Sequence, residues 1–419
     1  MFFSHKKESP HSHALSRFFD AHLWKALVVV PLAMVFGQVA SLPIINWSYE
    51  VTLAEIIIGA VFTLWAAHML SREGRRELVV PRIGKHLLLL VGLIVLSGMW
   101  AGSIEKWMIA LRVICFQFAM FFLTVNLINA RERAVVALKW FLGFAVLASI
   151  SILIAVIPIP YNELVTLNRA WITTPMGALS YVAALVALSA PLVMGGYYLV
   201  NTTRWRVAVS FVYVMVVVSL LYAAGKAAML SALAGLVVVF ASVRQRRWYF
   251  LALTITGLAI FAVLSTSTQG GFGSYTIQRL TQTTVDNSTQ FRLLELHSAG
   301  AIIHDHLLIG TGWGNMKEAY LQQTGFYEGD ANNIFIQIIG ELGVLGLIIF
   351  ILIISQLVRM LHWGEQSIVK KIPVIPALYI AFFVTAAINA MFEVTIIGLF
   401  YGILFWYLAG IFYTLYNEK

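Results

Sequence analysis

Twelve stretches of this chain are apolar over nearly the length that one helix needs to cross a bilayer. They lie at about 26–45, 51–70, 87–102, 107–128, 137–158, 177–200, 207–223, 227–243, 248–265, 342–359, 373–391 and 396–416. A helix of ~20 apolar residues spans the ~30 Å hydrocarbon core, and inside that core every backbone polar group must find its partner within the protein. Composition agrees: 60% of the 419 residues are hydrophobic and 11% charged, with a mean hydropathy of +0.85. A soluble domain averages ~45–50% apolar and ~25% charged residues. The expected fold is therefore an all-α polytopic membrane protein of about 12 transmembrane helices. A secreted enzyme, a cytosolic domain array and a disordered regulator are excluded.

The formal charge of +9 would suggest nucleic acid in a soluble protein, but here its distribution matters more. With the N-terminus inside, 21 of the 28 lysines and arginines fall in alternate, cytoplasmic connections, among them Arg72, Arg75, Arg76, Arg131, Arg133, Arg244, Arg246, Lys370 and Lys371. The remaining seven are Lys106, Arg112, Arg169, Lys226, Arg279, Arg292 and Lys317. Positive residues concentrate on the cytoplasmic side of membrane proteins, so both termini are expected there. That explains the charge without nucleic acid. The single cysteine, Cys115, sits in an apolar run, where it reads as a small hydrophobe. The first apolar run contains Pro31 and Pro43 and lacks a cleavage-site pattern, so it reads as a retained helix and not a signal peptide.

Four segments follow: a cytoplasmic N-terminal stretch at 1–25, nine spans over 26–265, one large external loop at 266–341, and three further spans over 342–419. The loop opens with a Ser-, Thr-, Gln- and Gly-rich stretch, as irregular surface chain does. From Gln290 to Ile303, Leu293, Leu296, Ile302 and Ile303 alternate with Arg292, Glu295 and His297, which predicts an amphipathic helix near the membrane surface. Turn-rich Gly310-Thr311-Gly312-Trp313-Gly314-Asn315 comes next, then a second short helix.

The stretch from Arg292 to Gly346 holds an arginine, a helix, Leu307-Leu308-Ile309-Gly310-Thr311-Gly312, the pair Asn332-Asn333, and Glu341-Leu342-Gly343-Val344-Leu345-Gly346. This arrangement resembles the O-antigen ligase and polymerase superfamily of bacterial polysaccharide-assembly membrane proteins. Three positions depart from that family's pattern. Asn332 stands where a histidine is usual, Leu307 where a proline is usual, and Gly225-Lys226-Ala227 where a Ser-Arg-Gly-type turn is frequent. Lysine keeps the charge of that turn but loses the bidentate geometry of arginine toward phosphate.

The resemblance implies a glycosyltransferase of the inner membrane that moves a glycan from undecaprenyl diphosphate to a sugar hydroxyl at the periplasmic face. The acceptor is a growing glycan for a polymerase, or lipid A-core for a ligase in lipopolysaccharide biosynthesis. Asn332 in place of the histidine favours the polymerase. Membrane lipids are further partners, and no cofactor is implied. Chemically, the leaving diphosphate needs cations where its charge develops, and the acceptor hydroxyl needs orientation. Arg292, Lys226, Arg169 and Arg112 are the candidates for the diphosphate. Arg112 lies about 8 Å into the membrane from Trp107 at 1.5 Å per residue, at a depth similar to Glu55. An ion pair between Glu55 and Arg112 that fixes helix packing is its simpler role. Glu328, Asp330, His304, His306 and Glu393 are the acidic and histidine groups available as a base, with Asp330 nearest the Asn332 position. Asn332 and Asn333 can orient a hydroxyl without taking its proton. His304 and His306, two residues apart, cannot share one helix face, so no metal is expected. Gly343 and Gly346 suit close helix packing. A solute transporter is the alternative from another class, but the chain shows no half-to-half similarity and its distinctive charges lie outside the midplane.

Overall fold

The computed structural model describes residues 10–37, 41–43, 50–70, 78–159, 172–200, 202–243, 247–267, 276, 287–325, 331–363 and 374–417. Among them are fourteen α-helices and two short antiparallel hairpins. The helices are α1 (Pro10–Met34), α2 (Leu53–Leu70), α3 (Gly84–Ser97), α4 (Ile104–Leu127), α5 (Arg131–Val156), α6 (Leu179–Leu199), α7 (Thr203–Ala223), α8 (Lys226–Ser242) and α9 (Arg247–Ser267). Then come α10 (Asn287–Asp305), α11 (Met316–Thr324), α12 (Ile334–Trp363), α13 (Val374–Phe392) and α14 (Leu399–Asn417). The hairpins pair β1 (Ser41–Pro43) with β2 (Glu50–Thr52), and β3 (Thr173–Thr174) with β4 (Gly177–Ala178).

Among the described residues, nine helices are long and apolar enough to span a membrane, and three shorter apolar segments, His22–Met34, Gly84–Ser97 and Lys226–Ser242, accompany them. Each expected span thus coincides with an apolar helix, and two differ in extent. The first helix ends at Met34, and the chain turns through Val35–Gly37 and passes through β1 within the range expected to be helical. Helix α12 starts at Ile334, within the expected loop, and breaks at Gly343 (φ 65°, ψ −166°), where the membrane span was expected to begin.

Local chemistry sets several boundaries. Helix α2 opens with a capping box: the Glu55 backbone N–H donates to Thr52 Oγ1, while Glu55 Oε2 accepts from the Thr52 backbone N–H at 2.9 Å. Ser103 caps α4 by accepting from the Lys106 backbone N–H. Ala224 ends α7 in the left-handed region (φ 47°), so α8 can start two residues later.

Helices α6 and α14 are buried along most of their length and form the centre of the bundle. Small residues allow the tightest approaches. A Cβ on Gly195 would lie 1.9 Å from Leu378, and one on Gly235 would lie 2.0 Å from Thr385 Oγ1, so α6 and α8 both press against α13. Aromatic rings fill the space between α4, α13 and α14, with Trp406 against Phe118 and Phe121 and Phe382 stacked on Phe405.

Candidate functional site

The turn at residues 310–315 locks the segment of α10 and α11 onto the bundle. Gly310, Gly312 and Gly314 all have positive φ, a region that costs other residues ~1–2 kcal/mol. The break in α12 exposes backbone groups that this turn satisfies. The Thr311 N–H donates to the Gly340 carbonyl and the Gly312 N–H to the Glu341 carbonyl, while the Val344 N–H donates to the Leu307 carbonyl, each at 2.9 Å. Contact is too close for side chains: a Cβ on Gly310 would lie 2.2 Å from Glu341 C, and one on Gly343 2.2 Å from Leu308 O. The other side of the turn meets the α3–α4 connection. The Trp313 N–H donates to Ser97 Oγ at 3.1 Å, the Ser103 N–H donates to Asn315 Oδ1 at 2.6 Å, and Lys106 Nζ pairs with Glu318 at 2.5 Å. Glu341, buried, accepts from Gln337 Nε2 at 2.7 Å and the Met316 N–H at 3.2 Å. The Gly- and Glu-rich motifs therefore build the junction between loop and membrane helix.

Helix α10 packs differently from its amphipathic pattern. Glu295, Ser298, Ala299 and Ile302 face inward, one helical turn apart, while Leu293, Leu294 and Leu296 are exposed. The inner face meets α11 through Tyr320, whose hydroxyl donates to the Glu295 carbonyl oxygen at 3.3 Å. Glu295, 4% exposed, accepts from Asn332 Nδ2 at 2.6 Å. Asn332 itself has φ 45°, a conformation that asparagine tolerates better than most residues. Asn333 caps α12, with Oδ1 accepting from the Phe335 and Ile336 N–H groups. Its Nδ2 donates to the Met391 carbonyl at the end of α13.

The expected cations separate into two places. Arg292 is exposed on α10, one turn before Glu295. Lys226 is the exposed first residue of α8. Gly235 of α8 packs between Ala381 and Thr385 of α13. Counting equal steps outward along these antiparallel helices brings Lys226 level with the end of α13, where Met391 holds Asn333. Arg112 lies on α4, and its Nε pairs with Glu55 Oε1 at 3.3 Å. Glu55 is fully buried and the Arg112 side chain 23% exposed, so the pair joins α2 to α4. Gly314 packs on Lys106 O and Ala110 of the same helix, which brings the turn within a helical turn of Arg112. Arg169, Glu328 and Asp330 lie outside the described residues. His304 bonds to Asp305 at 3.1 Å on the surface.

An apolar groove of about 170 Å³ runs between α12, α13 and α14. Ile334, Phe335 and Met391 line it alongside deeper residues such as Phe350, Phe383 and Trp406. Because Asn333 bonds Met391 and caps the helix that begins at Ile334, one end of the groove adjoins the two asparagines.

Glu295 is the residue of this cluster that sequence reasoning did not select. It read as the polar side of a surface helix. The signal was its spacing with the small residues Ser298 and Ala299 and with Ile302, which lie on the same helix face.

Among curated proteins, none matches the chain. Residues 211–351, about a third of the chain, match the family model described as O-antigen ligase. The match takes in Lys226, Arg292, the glycine turn, both asparagines and the break in α12, and it leaves Arg112 and Arg169 outside. With that match, residues 211–351 of this multi-pass membrane chain resemble the O-antigen ligase family, in line with the likeness drawn from the motifs.

Proposed function

We propose that the protein is an inner-membrane glycosyltransferase that transfers a glycan from undecaprenyl diphosphate to a sugar hydroxyl at the periplasmic face. In this reading it is a surface-polysaccharide polymerase with both termini in the cytoplasm. The observation that carries it is the adjacency of the apolar groove to the polar cluster at Asn332 and Asn333. A donor with a polyprenyl tail and a charged diphosphate needs that pairing, because the tail must leave water while the head stays near cations. Arg292 and Lys226 supply positive charge at the outer end and Arg112 supplies it deeper along α4, with Arg169 a further candidate by its place in the sequence. Asn333 and Asn332 offer hydrogen bonds to sugar, and Asp330, two residues along the chain, is available as a base. In the reaction the acceptor oxygen bonds to the anomeric carbon as the bond from that carbon to the diphosphate oxygen breaks. The electron pair leaves with the diphosphate, and the hydroxyl proton passes to water outside. Positioning and charge stabilisation carry this chemistry, with no metal required.

The match to the O-antigen ligase family favours a second reading, in which the acceptor is lipid A-core. Purified protein in proteoliposomes, given a polyprenyl-diphosphate glycan and each acceptor in turn, separates the two. Products laddered by one repeat unit are expected, with undiminished yield in EDTA. A single shift of lipid A-core identifies the ligase instead. No turnover of any lipid-linked glycan by folded protein returns the transporter reading.

A further inference from the structure

Helix α10 turns a carboxylate inward while leaving three leucines outside. Burying a carboxylate carries a desolvation cost that only good hydrogen bonds offset. Glu295 meets Asn332 at 2.6 Å, and Asn332 is one of two non-glycine residues with positive φ among the described residues. Two unfavourable features thus converge on one contact, which is how functional positions differ from ordinary packing. Its surroundings hold it firmly. Tyr320, fully buried, bonds the Glu295 carbonyl, the Ala331 N–H donates to Gln337 Oε1 at 2.8 Å, and Asn333 is tied to α12 and α13.

A carboxylate accepts hydrogen bonds and does not donate them. Glu295 therefore decides which end of the Asn332 amide faces it, and the carbonyl Oδ1 points the other way. No described residue donates to that oxygen, and Asn332 is half-buried beside the mouth of the apolar groove. We infer that Glu295 is a positioning residue that holds the Asn332 amide with Oδ1 presented to the hydroxyl of the incoming sugar acceptor. This rests on the glycosyltransferase reading and adds its acceptor subsite. The amide takes no proton at neutral pH, so its part is to aim the hydroxyl oxygen at the anomeric carbon.

An imidazole at position 332 has the same division of labour, with one nitrogen donating to Glu295 and the other accepting from the hydroxyl, but it titrates. In proteoliposomes Asn332→His is expected to transfer glycan with a rate that falls on the acid side, a limb absent from the parent protein. Adding Glu295→Gln removes the charge that stabilises the imidazolium, and the limb should move to lower pH by about one unit or more. The other charged groups on the packed elements, Lys317 and Glu318 of α11, Glu341 of α12 and Glu393 after α13, are shared by both histidine variants and cancel in the comparison. Glu318 pairs with Lys106, Glu341 faces Gln337, and Arg292 is present in each. A limb that does not move with Glu295→Gln overturns the inference. A second arm covers a poorly folded histidine variant. In the otherwise unchanged protein, Glu295→Gln lets the amide turn over, and kcat/KM for the acceptor should fall about tenfold or more. The KM for the lipid-linked donor should stay constant. Loss confined to protein level, or to the donor KM, overturns it as well. Parent protein that transfers no glycan at all refutes the functional reading itself, a result distinct from either arm.

Discussion

At the residue scale, the candidate cations call for different tests. Arg292 is exposed and bonded to no described residue, so replacing it removes charge without leaving a buried partner. Arg292→Ala is expected to lower glycan transfer by roughly 100-fold, the usual cost of losing one charge-stabilising donor, with normal protein in the membrane. Arg292→Lys should recover little of it if two guanidinium nitrogens contact the diphosphate. Lys226→Ala should be impaired and Lys226→Arg tolerated. Normal transfer by the Arg292→Ala protein would remove that residue from the site. Arg112 requires a different design, because Arg112→Ala strands the buried Glu55 carboxylate and should cost about 3 kcal/mol of stability on that account alone. Joint replacement, Glu55→Gln with Arg112→Gln, keeps the capping box on Thr52 while removing both charges. Membrane abundance should return in the joint variant and transfer should not. Recovery of both would confine Arg112 to joining α2 and α4.

At the scale of elements, the junction between the glycine turn and α12 is the part least tolerant of change. Gly343 has a backbone conformation that only glycine adopts readily, and a Cβ there would also strike the Leu308 carbonyl. Gly343→Ala should destabilise the solubilised protein by at least ~3 kcal/mol, seen as a lowered thermal midpoint with loss of transfer. Gly300 lies inside α10 with nothing within 4 Å of an added Cβ. Gly300→Ala should therefore raise stability by about 0.5–1 kcal/mol. Equal effects at the two positions would refute the junction described here. The spacing of Gly343 and Gly346 predicts helix packing. The motif's observed part is a helix break whose orphaned backbone groups are met by a loop, and periodicity alone carries no sign of a long-range docking partner.

For the whole molecule, the testable consequence is which side of the membrane α10 and α11 occupy. With Cys115 replaced by alanine, single cysteines at Ser288 and Gly325 should react with a membrane-impermeant thiol reagent in intact cells. One at Arg75 should react only after lysis. Labelling at Arg75 in intact cells would reverse the orientation and with it the side of the reaction.

The apolar segments and their flanking charges were legible in the chain because insertion depends on local composition over ~20 residues and on the cations beside them. The turn glycines Gly310 and Gly312 were legible because the turn-rich run Gly310–Asn315 is contiguous. The inward face of α10 was not. Leu293 and Leu296 stay outside, and Glu295 turns in to a partner 37 residues away, a pairing that the local pattern of α10 does not contain. The Lys106–Glu318 pair, the docking of Gly314 on α4 and the groove beside Asn333 likewise join segments distant along the chain. Each exists because helices set their neighbours by shape and polar pairing, which no single window of sequence contains.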